Sequence, residues 1–499
     1  MSGRERGVSR AGLAGLAGLT AALAVGDALA LLVRPAASPV LLAGSLLIDL
    51  APEPAKEFAI RTFGENDKAA LILAVIAVLV PVAFLLGVVA VHRRLPACLA
   101  AGGLGVVTAV IGATRAAAQP LDALPSLAAG LIGALFLAML GSRRAGAVPA
   151  AGPDRRRVLV AGLGVGAGAV LADVALRLGL PEPEAAPAIP RPGSPARPLP
   201  PGADLKLPGL SPFTTPNDRF YRVDTALVIP RVDAQAWRLR IHGTRTIELG
   251  FDELLRLGLI ERDITLTCVS NEVGGPYAGN ARWVGVPLAA LLARAGVPAG
   301  TDQLLSRSHD GWTGGTPLAA VLDGRDAMLA VAMNGTPLPP AHGFPARLVV
   351  PGLYGFVSAT KWVTDLRLTR YTDERAYWTR RGWATDAPVK TMSRIELPAP
   401  FARLRAGAVQ VAGVAWAQRR GIAAVEVRAD GGAWHPVRLA AVPGADTWRQ
   451  WSWTWQAAPG THRLEVRATD AAGRTQTEKR ANPFPSGADG WHSVVVTVT

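Results

Sequence analysis

Cysteine is scarce in this chain of 499 residues: there are two, Cys98 inside an apolar run and Cys268 far downstream. That rules out a disulfide framework. It also leaves Cys268 as a lone thiol, an uncommon feature in a domain facing an oxidising compartment. Histidine is sparse as well, with seven in all, and His92 stands alone at the edge of an apolar run. The apolar part therefore offers no histidine pair for an internal haem. The formal charge is +14, but the arginines are dispersed and no basic stripe alternates with aromatics, which argues against nucleic acid as a partner. The glycine run at 162–168 has no strand before it and no acidic residue at the right distance after it, so it is not read as a dinucleotide loop. Small residues so spaced more often let membrane helices approach.

What the chain has in abundance is apolar sequence, nearly all of it before Leu180. Five segments are long and apolar enough to span a bilayer, at residues 11–33, 69–91, 95–117, 124–140 and 158–178. A shorter run at 39–48 is expected to lie along the interface, followed by an acidic stretch that includes Asp49 and Asp67. Cationic loops stay cytoplasmic. Arg4, Arg6 and Arg10, then Arg93 and Arg94, then Arg143, Arg144 and Arg155 to Arg157 fall on one side of a five-span arrangement, whereas Arg34, Arg61, Arg115 and Arg177 fall towards the other. The majority puts the N-terminus inside and everything after Leu180 outside, giving a multi-pass cell-membrane protein with an extracytoplasmic soluble part. Arg155, Arg156 and Arg157 ahead of an apolar run fit either a twin-arginine export signal or an ordinary positive-inside anchor. Few ionisable residues fall in the spans, Asp27, Arg115 and Asp173 among them, so a transporter finds little support.

The expected organisation is multi-domain: an all-α transmembrane bundle of about five helices over residues 1–180, a proline-rich spacer over 181–212, an α+β domain over 213–397 and an all-β immunoglobulin-like sandwich over 398–499. In the α+β part, strands are predicted at 237–241, 264–267 and 346–350, and helices at 251–257 and 288–294. In the last part, strands are predicted at 409–415, 424–428, 461–469 and 493–499. The tryptophans at 448, 451, 453 and 455 read as core packing and sheet face in preference to a binding site.

Cys268 follows the apolar run 264–267 and precedes Asn271, Gly274 and Gly275, at the point where a strand gives way to a loop. By itself such a cysteine is usually a small buried residue. Its surroundings are more specific. Thr267, Cys268, Val269, Ser270 and Asn271, followed by Ala281, Arg282, Trp283, Val284, Gly285 and Val286, resemble the cysteine loop of the sulfite oxidase family. His342, Gly343, Phe344, Pro345, Arg347, Pro351 and Gly352, then Lys361 and Trp362, are similar to its later pterin-contact stretches, in the same order. Phe220 and Tyr221 with the stretch 237–243 resemble its opening segment. The part from Gly413 to His492 is similar to its immunoglobulin-like dimerisation domain.

That resemblance, from about Pro212 onward, implies a molybdenum-molybdopterin cofactor whose metal is held by two pterin sulfurs and one protein thiolate, here Cys268, a soft-ligand set. His342, Arg347, Lys361 and Trp362 would contact the pterin and its phosphate, and Asn271 would shape the loop. Asp310 either hydrogen-bonds the cofactor or makes a turn. Asp224 and Thr225 stand near a family contact position, in a segment that departs from the pattern by register. The loop also continues with Glu272 and Val273 where sulfite oxidases carry arginines, and a negative charge there would repel sulfite. The family's metal-proximal tyrosine has no clear counterpart in 377–383, and Tyr277 is the candidate substitute. The leading expectation is an enzyme that moves an oxygen atom to or from a small substrate in a two-electron step, with a sulfur oxyanion, sulfoxide or N-oxide as substrate, an unknown electron carrier, and possible homodimerisation. The alternative is a membrane-tethered binding or assembly protein that keeps the fold without the chemistry.

Overall fold

The computed structural model describes residues 3–52, 55, 58–59, 62–63, 67–115, 118–140 and 187–499. The fifth expected span, the arginine triplet at 155–157 and the glycine run at 162–168 lie outside the described residues. The chain divides into two compact units, Met1–Glu182 with Thr225–Ile229, and Pro183–Asp224 with Pro230–Thr499.

The first unit is helical. Three of its helices carry stretches long and apolar enough to cross a membrane, Ala11–Val33, Lys68–His92 and Arg94–Thr114. The fourth expected span is the helix Leu124–Leu140, whose 17 residues fall below the roughly 20 needed for a perpendicular crossing. The short run after the first helix forms Pro39–Leu50, which starts where Pro39 ends the preceding turn and the Ser38 side chain accepts from Leu41 N–H. Ser38 Oγ also donates to Asp27 Oδ1 at 2.6 Å, and Arg34 pairs with the buried Asp122. The buried carboxylate of Asp122 thus has a cationic partner, as burial of a charge requires. Two helices meet at Gly15 and Gly87, where a Cβ on Gly15 would lie 2.1 Å from Ala83 O. Only glycine permits that approach.

The second unit is built on four sheets. One runs in the order 246–250, 238–242, 363–369, 303–308, 313–317, and another in the order 260–267, 278–287, 328–333, 336–337, with 347–349 added on strand 328–333. Helices Phe251–Leu255 and Leu288–Ala295 cover them, burying Leu254, Leu288, Leu291 and Leu292 against Leu239, Ile241 and Leu366. The remaining two sheets follow. Strands 392–397, 407–416, 449–457 and 438–439 form one, and 403–404, 492–498, 460–470, 422–429 and 435–436 the other. They share a core of Val411, Val427, Trp451, Leu464, Val466 and Val496. Trp448, Trp451 and Trp455 are buried, so this tryptophan stretch is core packing.

Residues 187–200 are largely extended, as the prolines dictate, and turns follow at 201–204 and 208–210. They are tied down rather than free: Glu261 N–H donates to Ser194 O at 2.9 Å and Ser211 N–H to Glu396 Oε2 at 2.7 Å.

Candidate functional site

Strand Ile260–Thr267 pairs in antiparallel register with Ala278–Pro287, Thr267 opposite Ala278. Cys268 to Tyr277 is therefore the loop of a hairpin, and Cys268 N–H closes it on Tyr277 O at 2.9 Å. The strand's last four residues are buried, with Ile264 and Leu266 packed on Trp283 and Phe220. Its end, and with it Cys268, is consequently fixed by the core. Asn271, 5% exposed, accepts Tyr277 N–H through Oδ1 at 2.8 Å, while its own N–H donates to Cys268 O at 3.2 Å. Cys268 Sγ lies 2.9 Å from Ser270 Oγ. Burial pushes the thiol above its ordinary range, and the Ser270 contact and the Lys361 charge offset only part of this.

The segment from Pro340 to Trp362 brings up the second half of the site. Pro340–His342 is a single tight turn ended by Gly343 at φ +111°. A Cβ on Gly343 would lie 3.0 Å from Arg347 Cβ and 3.1 Å from Lys361 Cβ, so glycine both permits the turn and lets two cations stand side by side. Arg347 is buried, donates to His342 O at 3.0 Å, and lies 5.1 Å from the Trp283 ring centroid. Burial lowers its guanidinium to about 10. Lys361 donates to Asp224 Oδ2 at 2.7 Å and to Ala341 O at 3.0 Å. Burial holds it down at about 8, against the attraction of Asp224. Asp224 is also gripped by Arg222 Nε at 2.9 Å.

His342 Nε2 donates to Asn217 O at 2.7 Å, because a carbonyl can only accept. Nδ1 then carries the lone pair, and among the described residues that buried atom has no partner. Burial lowers this imidazole to about 4, so it is neutral. Ser308 Oγ is a second buried polar atom with no partner among the described residues.

Other expected residues have local duties. Trp362 is buried at φ +50°, and its indole donates to Pro340 O at 2.8 Å, locking the turn. Asp310 accepts Trp312 N–H at 3.2 Å, a turn-closing contact. Thr225 is not among the residues gathered here and groups with the helices in Thr225–Ile229. Glu272 is exposed on the loop, where water weakens its repulsion of an anion. Tyr277 is half-buried, its ring 6.2 Å from that of Tyr221.

Tyr221 is the residue that sequence reasoning missed. Its hydroxyl is 4.0 Å from the point a Gly355 Cβ would occupy, and Thr267 O is 3.8 Å from the same point. Burial, then the neighbouring Cys268, push the phenol well above its ordinary range, with Arg347 opposing. The sequence signal was an aromatic pair, Phe220 and Tyr221, whose stacking is 5.2 Å between centroids.

Tyr221, Cys268, His342, Arg347, Lys361 and Asp224 thus form one cluster. No group of three or more His, Cys, Asp or Glu side chains able to hold a metal occurs among the described residues. A metal here would have to arrive with most of its ligands. One buried thiol, two buried cations and an unpartnered imidazole nitrogen fit an anionic, hydrogen-bonding cofactor that brings its own sulfur ligands.

Comparisons with known proteins agree. Residues 226–378 match the oxidoreductase molybdopterin binding domain. Sulfite oxidase of Gallus gallus is 31% identical over 320 residues, which cover 54% of this chain and 69% of that protein. The chain belongs to the sulfite oxidase family. Mitochondrial sulfite oxidase of Homo sapiens is 28% identical over 341 residues, 58% of this chain and 62% of the human one. Among solved structures, the sulfane dehydrogenase SoxCD from Paracoccus pantotrophus is similar with a TM-score of 0.50 and 26% identity, covering 58% of this chain and 84% of that one. As in that family, the molybdopterin-binding domain here is an oxidoreductase domain for a molybdenum cofactor.

Proposed function

We propose that this chain carries out two-electron oxo transfer on a small oxygen-bearing sulfur compound, with Cys268 as the one protein thiolate on the metal. The observation that carries this reading is the buried thiol sharing a cluster with Arg347, Lys361 and the unpartnered Nδ1 of His342. The molybdenum cofactor supplies the redox change and the oxygen acceptor or donor. The remaining work falls to the chain. Arg347 and Lys361 bind the anionic parts of the cofactor, and neutral His342 accepts a hydrogen bond from it. Cys268 would hold the metal as its thiolate, the charged form that burial alone disfavours. The hydroxyls of Tyr221 and Tyr277 orient the substrate oxygen, and the high proton affinity of Tyr221 keeps it a donor. A sulfur oxyanion is favoured as substrate, because Glu272 is exposed and the cations Arg222, Arg347 and Lys361 outnumber the one carboxylate of the cluster, Asp224.

The apolar helices support a membrane tether, and the arginine distribution supports an extracytoplasmic position for the second unit. The two-sheet region, with its shared core, is read as immunoglobulin-like and as a homodimerisation surface. An electron carrier takes or supplies the electrons.

The test is metal and pterin analysis of the chain made in a host with an intact cofactor pathway. Wild type should hold about one molybdenum per chain, as one thiolate site implies, and Cys268→Ser should lose most of it. Wild type free of molybdenum overturns the reading. Sulfite-dependent dye reduction against oxidation of a reduced dye by sulfoxide or N-oxide then gives the direction.

A further inference from the structure

The half of the Cys268 loop farthest from its strands has few restraints of its own. Gly275 N–H donates to Glu272 O at 2.9 Å, but Gly274 adopts φ +80°, a conformation that does not hold itself against alternatives. What holds this part comes from the C-terminal two-sheet region. A Cβ on Gly274 would lie 2.1 Å from His492 Cδ2 and 2.2 Å from its Nε2, so the imidazole sits directly on the loop backbone. His492 opens the strand His492–Val498, and its Nδ1 accepts Ile395 N–H at 3.0 Å, which puts its proton on Nε2, the nitrogen nearer the loop. From the adjoining strand Met392–Leu397, Arg394 donates to Gly275 O at 2.9 Å and to Glu396 Oε1 at 2.7 Å. Behind the loop, Gln418 Nε2 donates to Thr265 O at 3.0 Å and Thr267 Oγ1 at 3.2 Å, and Trp448 N–H to Thr265 Oγ1 at 2.7 Å.

We infer that the C-terminal region is a brace for the cysteine loop, with His492 and Arg394 as positioning residues that fix how Cys268 is presented. Its consequence for the metal rests on the function proposed above, but the brace itself can be read without metal. A loop that must hold one ligand at a defined angle gains from restraints on rigid strands, and these two residues stand on strand ends that the shared core anchors.

The test uses the full chain in detergent, made both with and without the cofactor pathway. The variants are His492→Leu, His492→Asn, Arg394→Lys, and Val496→Ala as a control that weakens the shared core four residues further along the strand, opposite His462. The readouts are amide hydrogen exchange at residues 272–275 in the cofactor-loaded protein and the alkylation rate of Cys268 in the cofactor-free chain. His492→Leu should raise both by about tenfold. His492→Asn should stay within about twofold, because its amide oxygen can take the Ile395 N–H in place of Nδ1. Arg394→Lys, which cannot reach Gly275 and Glu396 together, should fall between. Exchange and alkylation unchanged in both His492→Leu and Arg394→Lys would overturn the brace, as would an equal rise in Val496→Ala. If His492→Leu does not accumulate, Arg394→Lys against Val496→Ala decides. Wild type lacking molybdenum would end the proposed function and leave the exchange result readable.

Discussion

Asp224→Asn tests the electrostatics of the cluster most sharply. The carboxylate is held by Lys361 and Arg222, and its side chain and that of Lys361 are each 9% exposed. Breaking a buried ion pair often costs about 3–5 kcal/mol because it strands a charge. Here Lys361 stands at about 8 with its partner present, so at pH 7 its proton contributes only about 1.4 kcal/mol to the folded state. Once Asp224 is gone the lysine sheds that proton rather than remain a stranded cation, and its share of the loss is capped near that figure. Burial has pulled the folded-state value below that of the unfolded chain, about 10.4. The unfolded chain then binds more protons across pH 8 to 10.4, and wild-type stability rises with pH through that window. In the variant the window opens at lower pH. The destabilisation should therefore be about 1.4 kcal/mol at pH 7 plus a remainder of about 0.2–1 kcal/mol from Arg222, shrinking to that remainder by about pH 9.5. Denaturant unfolding of the cofactor-free full chain, followed by tryptophan fluorescence from pH 6 to 9.5, reads the difference. A pH-independent loss, or one above about 3 kcal/mol at pH 7, would refute the reasoning, since either means that Lys361 stays charged without its partner.

Two further outcomes follow from packing and charge elsewhere. Burial alone would raise Asp470, but bonds from Arg420, Arg474 N–H and Thr391 outweigh it and hold the carboxyl at about 2. A depressed carboxyl stabilises above its unfolded value and loses this as pH falls. Asp470→Asn should therefore lower stability by on the order of 2 kcal/mol at pH 7, with the gap to wild type in denaturant midpoint closing between about pH 4 and 2. In the helical unit, a Cβ on Gly87 would lie 2.4 Å from Ala11 O and 2.8 Å from Gly15 Cα. Gly87→Val should cost about 1–3 kcal/mol as the two helices part, seen as earlier thermal loss of helical circular dichroism in detergent, and an unchanged melting curve would count against the contact.

How much of this was legible in the sequence depends on which force left a local trace. The long helices were plain, because each is an unbroken apolar run long enough to cross a bilayer, a pattern that is wholly local. Strands with alternating burial, such as 460–470, were found to within a residue or two. Strand Ala278–Pro287 was not, because nearly every residue is buried and no alternation survives. The cluster around Cys268 was legible where its members lie in ordered motifs, as His342, Arg347 and Lys361 do. Thr225 was not gathered there, because one residue beyond Asp224 the chain groups with the helices, a division that no local pattern announces. Tyr221 stood out only as part of the opening segment, and nothing in that segment reveals that its phenol feels the charge of Cys268. His492 is the extreme case. Its contact with Gly274 spans more than two hundred positions, and a histidine at the start of a terminal strand carries no sign of what its ring touches. His492 depends on a neighbour without a side chain, since its ring reaches the loop only where Gly274 leaves room. A glycine in a catalytic loop is therefore worth reading as a vacancy that some distant side chain fills, which is a question sequence order alone cannot answer.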